Sequence, residues 1–314
     1  MSDLNTTNPT SLAHLIGQRG VIDQVSVALD AAQIDGIPFE HALLVGPPGL
    51  GKSALANVVA MEMATEFREV LGQSITNLGD LNALLLAAED RSVIHIDAAH
   101  ELGKEYQTAL FLCLDKRQIF LGRSGKTPQA IPLADFSLLL STTDEYKLLA
   151  PLRDRMKLLL RFEFYTVEDL IRLVKQRCCA MNWEIEDYVP ILIAQRARGT
   201  PRLALRLMQS CRRVCRAEGE NRITFDTLDR ACELEHIDAA GLGPLEQSYV
   251  RLLGDGAIRL NILASSLGLP AKTLSEVIEP FLVRIGLITK DEQGRRDLTA
   301  QGHEHLAYLR RQSI

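Results

Sequence analysis

The chain has 314 residues, of which 46% are apolar and 24% are charged, and its formal net charge is −5. This composition is typical of a folded globular protein and excludes a chain that is disordered over most of its length. It also excludes a protein that is basic throughout, although a local basic patch remains compatible with the net charge. The length is sufficient for two or three domains.

The N-terminal sequence, MSDLNTTNPTS, is polar and lacks the basic and apolar regions of a secretory signal peptide. No stretch of the sequence approaches about 18 uninterrupted apolar residues, the length that a membrane-spanning helix requires. We therefore expect a cytoplasmic protein that does not cross a membrane.

The N-terminal half combines helical patterns with short, almost wholly apolar runs. Such runs are typical of strands that are buried on both faces of a parallel sheet. The segments between them are long enough for crossover helices, so residues 1–162 are predicted to form a doubly wound α/β domain. The three runs are Ala42–Val45, Val93–Ile96 and Ser137–Leu140.

The middle of the chain, residues 163–238, shows helical spacing in Asp169–Val174 and in Leu203–Met208, with no strand-like run. We therefore predict a small helical domain. Pro201 follows the turn at Gly199 and is expected in the first turn of a helix, where the missing N–H of proline has no cost.

The last part of the chain, residues 239–314, begins after a loose stretch at Asp238–Pro244. Three helical segments are followed by two strand-like segments around a polar turn at Gly294. This order predicts a winged-helix domain. The helical segments lie near 245–253, 260–267 and 272–285, and the strand-like segments are Leu287–Thr289 and Arg296–Thr299.

The most specific motif is a match to GxxxxGK[ST], the phosphate-binding P-loop. Its glycines allow backbone N–H groups to face phosphate oxygens, Lys52 neutralises the β- and γ-phosphates, and the Ser53 hydroxyl holds Mg²⁺. The helix that follows directs its positive end at the anion. The motif therefore predicts an ATP/ADP site formed by Gly46, Pro47, Pro48, Gly49, Leu50, Gly51, Lys52 and Ser53.

A second acidic strand end is predicted at Asp97, which follows the apolar run Val93–Ile96. A carboxylate in this place can hold Mg²⁺ together with Ser53. In most ATPases of this type a glutamate comes next and orients the attacking water. Here that position is Ala98, so the sequence predicts nucleotide binding with impaired hydrolysis.

Four segments resemble the RuvB family of AAA+ motors, which drive Holliday-junction branch migration with a RuvA partner. The resemblance runs from about Ile16 to about Leu306. It implies an AAA+ P-loop domain (1–162), a helical lid domain (163–238) and a C-terminal winged-helix DNA-binding domain (239–314). The four segments are Gly46–Lys52, Phe164-Tyr165, Arg198–Arg202 and Leu274–Leu282.

The resemblance also implies roles for individual residues around the nucleotide. Thr142, at the end of a predicted strand, corresponds to sensor 1, and Arg202 corresponds to sensor 2. Arg155, the second arginine of Pro151-Leu152-Arg153-Asp154-Arg155, corresponds to the arginine finger that acts on a neighbouring subunit. Ile16 lies where the family binds the nucleotide. Cations from the lid and from a neighbour would both face the γ-phosphate.

Surfaces for DNA and for a partner are implied in the same way. Arg295 and Arg296 of the predicted wing are candidates for contacts with the DNA backbone, which position a protein without specifying sequence. Glu276 and Glu279 lie on the predicted recognition helix and would repel phosphates, so reading of the major groove is not expected.

The hairpin that docks on RuvA in the family corresponds to about 118–136, with Ile131 and Leu133 as candidate apolar contacts or as parts of an ordinary surface hairpin. Pro132 between them suggests an edge strand or a protruding hairpin. Residues 196–216 hold seven arginines and no acid. They are compatible with a DNA-facing stripe, with subunit-interface charge or with a solvated helix face.

The sequence departs from the family pattern at positions that concern ATP hydrolysis and DNA binding. Three hypotheses about the function therefore remain. The first is a RuvB-type ATP-driven motor that acts as a homo-oligomeric ring, a hexamer on DNA, on branched or duplex DNA with a RuvA-like partner. The second is a hydrolysis-deficient scaffold or regulatory subunit, and the third is a winged-helix transcription regulator with an ATP switch. The departures include Ala98, Ala54, Met156-Lys157, Asn8-Pro9 and Gln293.

Overall fold

The structure, a computed structural model, describes residues 8–121 and 129–311. The chain divides into two compact units. Unit one comprises the described residues up to Asn182 together with Gly199–Arg202, and unit two comprises Trp183–Arg198 and the described residues from Leu203 onward. The predicted lid, 163–238, therefore contributes residues to both units.

The strands of unit one account for all three apolar runs in the sequence. They are β1 (Ala42–Val45), β2 (Phe67–Leu71), β3 (Val93–Asp97), β4 (Gln118–Leu121), β5 (Gln129–Pro132), β6 (Ser137–Thr142) and β7 (Leu158–Arg161). Within the described residues, five of them form a parallel sheet in the order β2-β3-β6-β1-β7, and β4 and β5 pair as a separate antiparallel hairpin.

Helices cover both faces of this sheet, which explains why its central strands are apolar on both sides. Leu43, Ile94 and Leu140 face one core, whereas Leu44 and Leu139 face the other. The predicted doubly wound α/β domain is confirmed. The helices of unit one are α1 (Arg19–Asp35), α2 (Lys52–Glu62), α3 (Leu78–Leu86), α4 (Lys104–Lys116), α5 (Ala150–Arg153) and α6 (Val167–Ala180).

The helices of unit two begin with a small group from the predicted lid and continue into the predicted winged helix. They are α7 (Val189–Arg196), α8 (Pro201–Ala217), α9 (Phe225–Glu235), α10 (Pro244–Leu252), α11 (Leu260–Leu267), α12 (Ala271–Thr273), α13 (Glu279–Arg284) and α14 (Ala300–Arg311). A π-helical turn, Leu274–Ile278, lies between α12 and α13. Helix α8 starts at Pro201 as predicted, and its first two residues belong to unit one.

Short strands complete unit two. They are β8 (Glu184–Ile185), β9 (Arg222–Ile223), β10 (Ile258–Arg259), β11 (Ile288–Lys290) and β12 (Arg295–Leu298). Strands β10, β12 and β11 form an antiparallel sheet that packs with the surrounding helices around buried Tyr249, Leu253 and Leu282, which confirms the winged-helix prediction. The parallel pair β8–β9 was not predicted, since two residues are too few for a periodic signal.

Among the helices that the structure describes, none combines the length and the apolar character needed to cross a membrane.

Candidate nucleotide-binding site

The loop Gly46–Ser53 connects β1 to α2 at the carboxyl edge of the sheet. Gly46, Gly49 and Gly51 have φ angles of +154°, +80° and +99°, which residues with a side chain rarely adopt. A Cβ atom at Gly46 would lie 2.7 Å from the carbonyl oxygen of Phe162. The glycines of the motif are therefore required by the conformation of the loop.

Lys52 is the first residue of α2, and only 7% of its surface is exposed. Its Nζ donates to the carbonyl oxygens of Gly46 and Pro47, at 2.7 and 2.8 Å. Burial lowers the pKa of Lys52, and the charge of Arg202 lowers it further, whereas the charge of Asp97 raises it. The loop therefore encloses a cation that interacts with two of the other predicted site residues.

Two oxygen donors accompany this cation. Asp97 ends β3, and its Oδ1 accepts the backbone N–H of Ala98 at 2.9 Å. Ser53 is half-buried in the first turn of α2. A carboxylate and a hydroxyl are oxygen ligands of the kind that Mg²⁺ prefers. The donor set therefore fits the predicted magnesium site.

The residue that follows β3, at the position predicted to orient the water, is Ala98 and carries no carboxylate. Ala98 has left-handed φ and ψ angles of 51° and 45°, and it presents only a methyl group. Glu101, at the end of the following 3₁₀ turn, is exposed and lies 3.3 Å from Nε2 of His100.

His100 links this segment to the predicted sensor 1. Its Nδ1 lies 3.1 Å from Oγ1 of Thr142, which also accepts the backbone N–H of Asp144 at 3.0 Å. Thr142 pairs with Val45 in the β1–β6 register, and its carbonyl accepts the N–H of Gly46 at 3.1 Å. Sequence reasoning did not connect His100 with Thr142, although its place three residues after Asp97 was a visible signal.

Arg202 lies beside the P-loop. Its backbone N–H points to the carbonyl of Gly49 at 3.4 Å. A Cβ atom at Gly49 would lie 3.1 Å from the Cβ of Arg202 and 3.0 Å from Cγ2 of Thr200. The structure therefore brings the predicted sensor 2 to the P-loop.

Tyr165 contacts the P-loop at Leu50, the turn at Gly199 and the N-terminal segment at Gly17. Its hydroxyl donates to the carbonyl of Leu50 at 3.3 Å, and its backbone N–H donates to the carbonyl of Gly199 at 2.9 Å. A Cβ at Gly17 would lie 2.8 Å from its ring. Burial raises the pKa of Tyr165 to about 12, so the phenol stays neutral. Ile16, the predicted nucleotide contact, is buried next to Gly17.

Comparison with known proteins agrees with this geometry. Family models match the chain at 7–162 ("Holliday junction DNA helicase RuvB P-loop domain"), 165–238 ("RuvB AAA lid domain") and 239–307 ("RuvB C-terminal winged helix domain"). A Thermotoga petrophila protein named "Holliday junction branch migration complex subunit RuvB" is 36% identical over 98% of this chain and 94% of its own length. The chain belongs to the RuvB family.

Solved RuvB structures have the same fold. The structure of the Thermotoga maritima RuvB Holliday junction branch migration motor matches with a TM-score of 0.84 and 35% identity, over 96% of this chain and 98% of that chain. A RuvB subunit of Kosmotoga olearia is 35% identical over 97% of this chain and 91% of its own length. The family's P-loop domain, with its complete GxxxxGK[ST] motif, identifies this chain as a nucleotide-binding protein.

Arg155, the predicted arginine finger, is held by partners within its own chain. Arg155 donates to both carboxylate oxygens of Asp115, at 2.8 and 2.6 Å, and to the carbonyl of Pro151 at 2.7 Å. Its guanidinium also lies over the ring of Phe111, 5.3 Å from the centroid. The hydrogen bonds from Arg155 lower the pKa of Asp115. Sequence reasoning did not identify Asp115, which lies forty positions earlier on α4.

The two wing arginines have different environments. Arg295 is partly exposed and pairs with Asp291 at 2.7 Å. Arg296 is buried, and it donates to both carboxylate oxygens of Glu279 at 2.7 and 3.1 Å. Lys290 and Tyr249 also bind Glu279. Glu279 therefore faces inward, and its charge is balanced by Arg296 and Lys290. The sequence alone suggested instead that Glu279 would repel phosphates. Arg296, in turn, binds a partner in the interior of the winged helix.

The predicted partner hairpin consists of β4 and β5, and its residues 122–128 lie outside the described residues. Ile131 is half-buried and pairs with Ile119. Leu133 packs against the core of unit one. Phe120 is 49% exposed with Lys116 over its ring. Phe120 is thus a more exposed apolar candidate than Leu133, which the sequence had favoured.

Most of the arginines between 196 and 216 have partners in the structure. Arg206 and Arg213 pair with Glu235. Arg212 lies over Trp183, 5.6 Å from the ring centroid, and donates to the carbonyl of Asn221. These contacts indicate that at least Arg206, Arg212 and Arg213 bind partners within the chain and stabilise its fold.

Proposed function

We propose that this chain is the ATP-binding subunit of a Holliday-junction branch-migration complex. In this proposal it binds ATP with Mg²⁺, assembles into a ring, a hexamer on DNA, and acts on branched duplex DNA with a RuvA-like partner. The observation that carries the proposal is the intact P-loop with enclosed Lys52, in a chain whose three consecutive segments match the RuvB domains. The relatives named above are branch-migration subunits, and a cytoplasmic location is part of the proposal, because the protein would act on DNA there.

The site residues have distinct tasks in nucleotide binding. Lys52 exchanges its loop carbonyls for the β- and γ-phosphates, and the loop N–H groups hold the phosphate oxygens. Ser53 and Asp97 are the proposed protein ligands of Mg²⁺, which when bound offsets phosphate charge. Thr142 and Arg202 face the γ-phosphate as sensors, and Ile16 contacts the base of the nucleotide.

In the assembled ring, Arg155 acts as the arginine finger on a neighbouring subunit. For the guanidinium to reach the γ-phosphate of a neighbour, it has to leave Asp115. The hairpin with Ile131 and Leu133 is the proposed partner contact. Arg295 and Arg296 are the proposed DNA contacts of the wing, and Arg296 has to leave Glu279 to reach the DNA. We also retain the domain boundaries 162/163 and 238/239, which the matched family segments support.

A second function is favoured by one specific observation, the alanine at position 98. Without a positioned base the attacking water is not activated, so the chain would bind ATP to assemble and would turn it over slowly. In that case it is a scaffold or regulatory subunit rather than the force-generating one.

The two functions are separated by one set of measurements on the purified protein. Calorimetry with ATP and Mg²⁺ tests binding, and branch migration of a labelled four-way junction tests motor activity, with and without a RuvA partner. Binding with migration supports the motor, and binding without migration supports the scaffold. Failure to bind ATP in the presence of Mg²⁺ would overturn both.

A further inference from the structure

Arg198 lies where the chain leaves unit two and enters unit one at Gly199. Its φ angle is +55°, and that of Gly199 is +70°. A left-handed conformation is unfavourable for a residue with a side chain, and it persists where surrounding contacts determine it. The contacts of Arg198 therefore indicate what this strained turn does.

The guanidinium of Arg198 binds two parts of the winged-helix region at once. Nε donates to the carbonyl of Gly241 at 2.7 Å, and Nη1 donates to Oε1 of Glu246 at 2.6 Å. The exposed fractions of the Arg198 and Glu246 side chains are 19% and 13%. Because the pair is mostly shielded from water, solvent and salt screen the attraction between the two charges less than in an exposed ion pair.

The same residue also binds the helix that carries the C-terminal family motif. Its guanidinium lies 4.5 Å from the ring centroid of Phe281 on α13. In return, Arg284 of α13 donates to the backbone carbonyl of Arg198 at 2.6 Å. Arg198 is thus fixed to α13 by both its side chain and its backbone.

Glu246 is held by a second contact. Its Oε2 accepts the backbone N–H of Gly243 at 3.1 Å, so one carboxylate both caps α10 and binds Arg198. Gly241 approaches the chain closely, since a Cβ there would lie 2.3 Å from the carbonyl oxygen of Arg196. The start of the winged helix is therefore pinned to the residues that precede the strained turn.

Arg202, which contacts the nucleotide loop, is only four positions after Arg198 in the chain. The carbonyl of Gly199 accepts the backbone N–H of Tyr165, and Arg202 lies against Gly49 with its charge acting on Lys52. A shift of Arg202 on nucleotide binding would thus act on a turn whose other end is fixed to the winged helix.

We propose that Arg198 is a positioning residue that couples nucleotide occupancy of the P-loop to the DNA affinity of the winged helix. The inference rests on the proposed function, because it requires both ligands. It adds to that function the connection through which one site influences the other. Allosteric coupling is a free energy between two sites, so it is measurable without hydrolysis.

The test measures the dissociation constant of a fluorescent four-way junction with and without saturating ATPγS and Mg²⁺, for the full chain. The ratio of the two constants is the coupling factor, expected at about 5–150-fold in the parent protein. Arg198→Ala is expected to bring this ratio close to one, while ATPγS affinity and nucleotide-free DNA affinity stay within about twofold. A merely structural role would change those separate affinities or the thermal midpoint.

Three further variants make the result decisive. Glu246→Gln removes the partner from the other side and is expected to lower the ratio as well, and the double variant is expected to show no additional loss. Arg230→Ala, which removes an exposed arginine paired with Glu233, is the matched control and should leave the ratio unchanged.

The inference is overturned if folded Arg198→Ala and Glu246→Gln keep the parent ratio, or if the parent protein binds both ligands with a ratio of one. If the parent protein binds ATPγS or DNA not at all, the proposed function fails and the inference fails with it. The two failures are therefore distinguishable by the separate binding constants.

Discussion

The two sides of the candidate nucleotide site differ in how much of the ATPase machinery they keep. On the P-loop side, Lys52 is enclosed by the carbonyls of Gly46 and Pro47, and Arg202 lies against Gly49. On the side that follows β3, Asp97 is present, but the next residue, Ala98, presents only a methyl group.

This difference separates two tasks that are usually discussed together. Affinity for the phosphates comes from the loop, its lysine and the helix end, whereas turnover depends on a base that orients water. A chain can keep the first and lose most of the second. Substitutions on the two sides of the site should therefore change binding and turnover separately.

Ala98→Glu should raise the rate of ATP hydrolysis by about 10²–10⁴-fold, since a positioned general base contributes that much. Position 98 already has a left-handed backbone, so an unbranched glutamate adds no new backbone strain relative to alanine. The rate is measured as phosphate release at saturating ATP and Mg²⁺.

Ala98→Gln is the matched control, because it has nearly the same size and lacks the carboxylate. It is expected to hydrolyse ATP no faster than the parent protein. If Ala98→Glu also leaves the rate unchanged while ATP still binds, the loss extends beyond this position, for example to Ala54 or Met156.

Lys52→Ala should remove ATP binding and the thermal stabilisation that it gives. At ATP concentrations one hundred times the dissociation constant, the parent protein gains about 2.7 kcal/mol of unfolding free energy. The variant should gain none, because the buried cation that faces the phosphates is absent. Thermal unfolding with and without ATP and Mg²⁺ measures the gain.

Lys157→Ala removes an exposed lysine that pairs with Glu40, 3.2 Å away, and serves as the control for loss of a positive charge. It should keep the full ATP-dependent gain. An equal gain in Lys52→Ala would show that the P-loop geometry does not hold the nucleotide.

Asp115→Asn should strengthen ATP-dependent assembly at most about fivefold, the range expected of an exposed ion pair. The substitution frees Arg155 from its partner within the chain, whereas Arg155→Ala should weaken assembly and leave the monomer folded. Sedimentation in the presence of ATP and Mg²⁺ measures both effects.

Glu40→Gln, which breaks an exposed ion pair with Lys157, is the matched control and should not change the sedimentation profile. Identical profiles for the parent protein and Arg155→Ala would identify Arg155 as an ordinary surface charge and would remove it from the proposed assembly.

Much of the fold follows from local patterns in the sequence. The runs at Ala42, Val93 and Ser137 are strands because a sheet buried on both faces requires continuous apolar residues. The P-loop follows from glycine positions and one lysine. Such features depend on neighbours in the chain, so one sequence is sufficient to predict them.

The side-chain partners could not be predicted in the same way. Asp115 meets Arg155, Glu279 meets Arg296, and each pair is separated by many residues in the chain. Only the packing of α4 beside α5, or of α13 beside the β11–β12 pair, brings the members of a pair together. The burial of Glu279 therefore does not follow from its place on a helix, and its charge looks like a surface feature in the sequence alone.

The alanine at position 98 supports the central claim of the second proposed function, that this chain holds ATP without turning it over at the usual rate of a motor. The most direct test loads the parent protein with radiolabelled ATP and Mg²⁺ at protein excess, adds junction DNA and follows the bound nucleotide by rapid quench. We predict that bound ATP stays intact over many seconds. Conversion to ADP at roughly 1 s⁻¹ or faster would contradict the claim and would show that another residue activates the water in place of a glutamate at position 98.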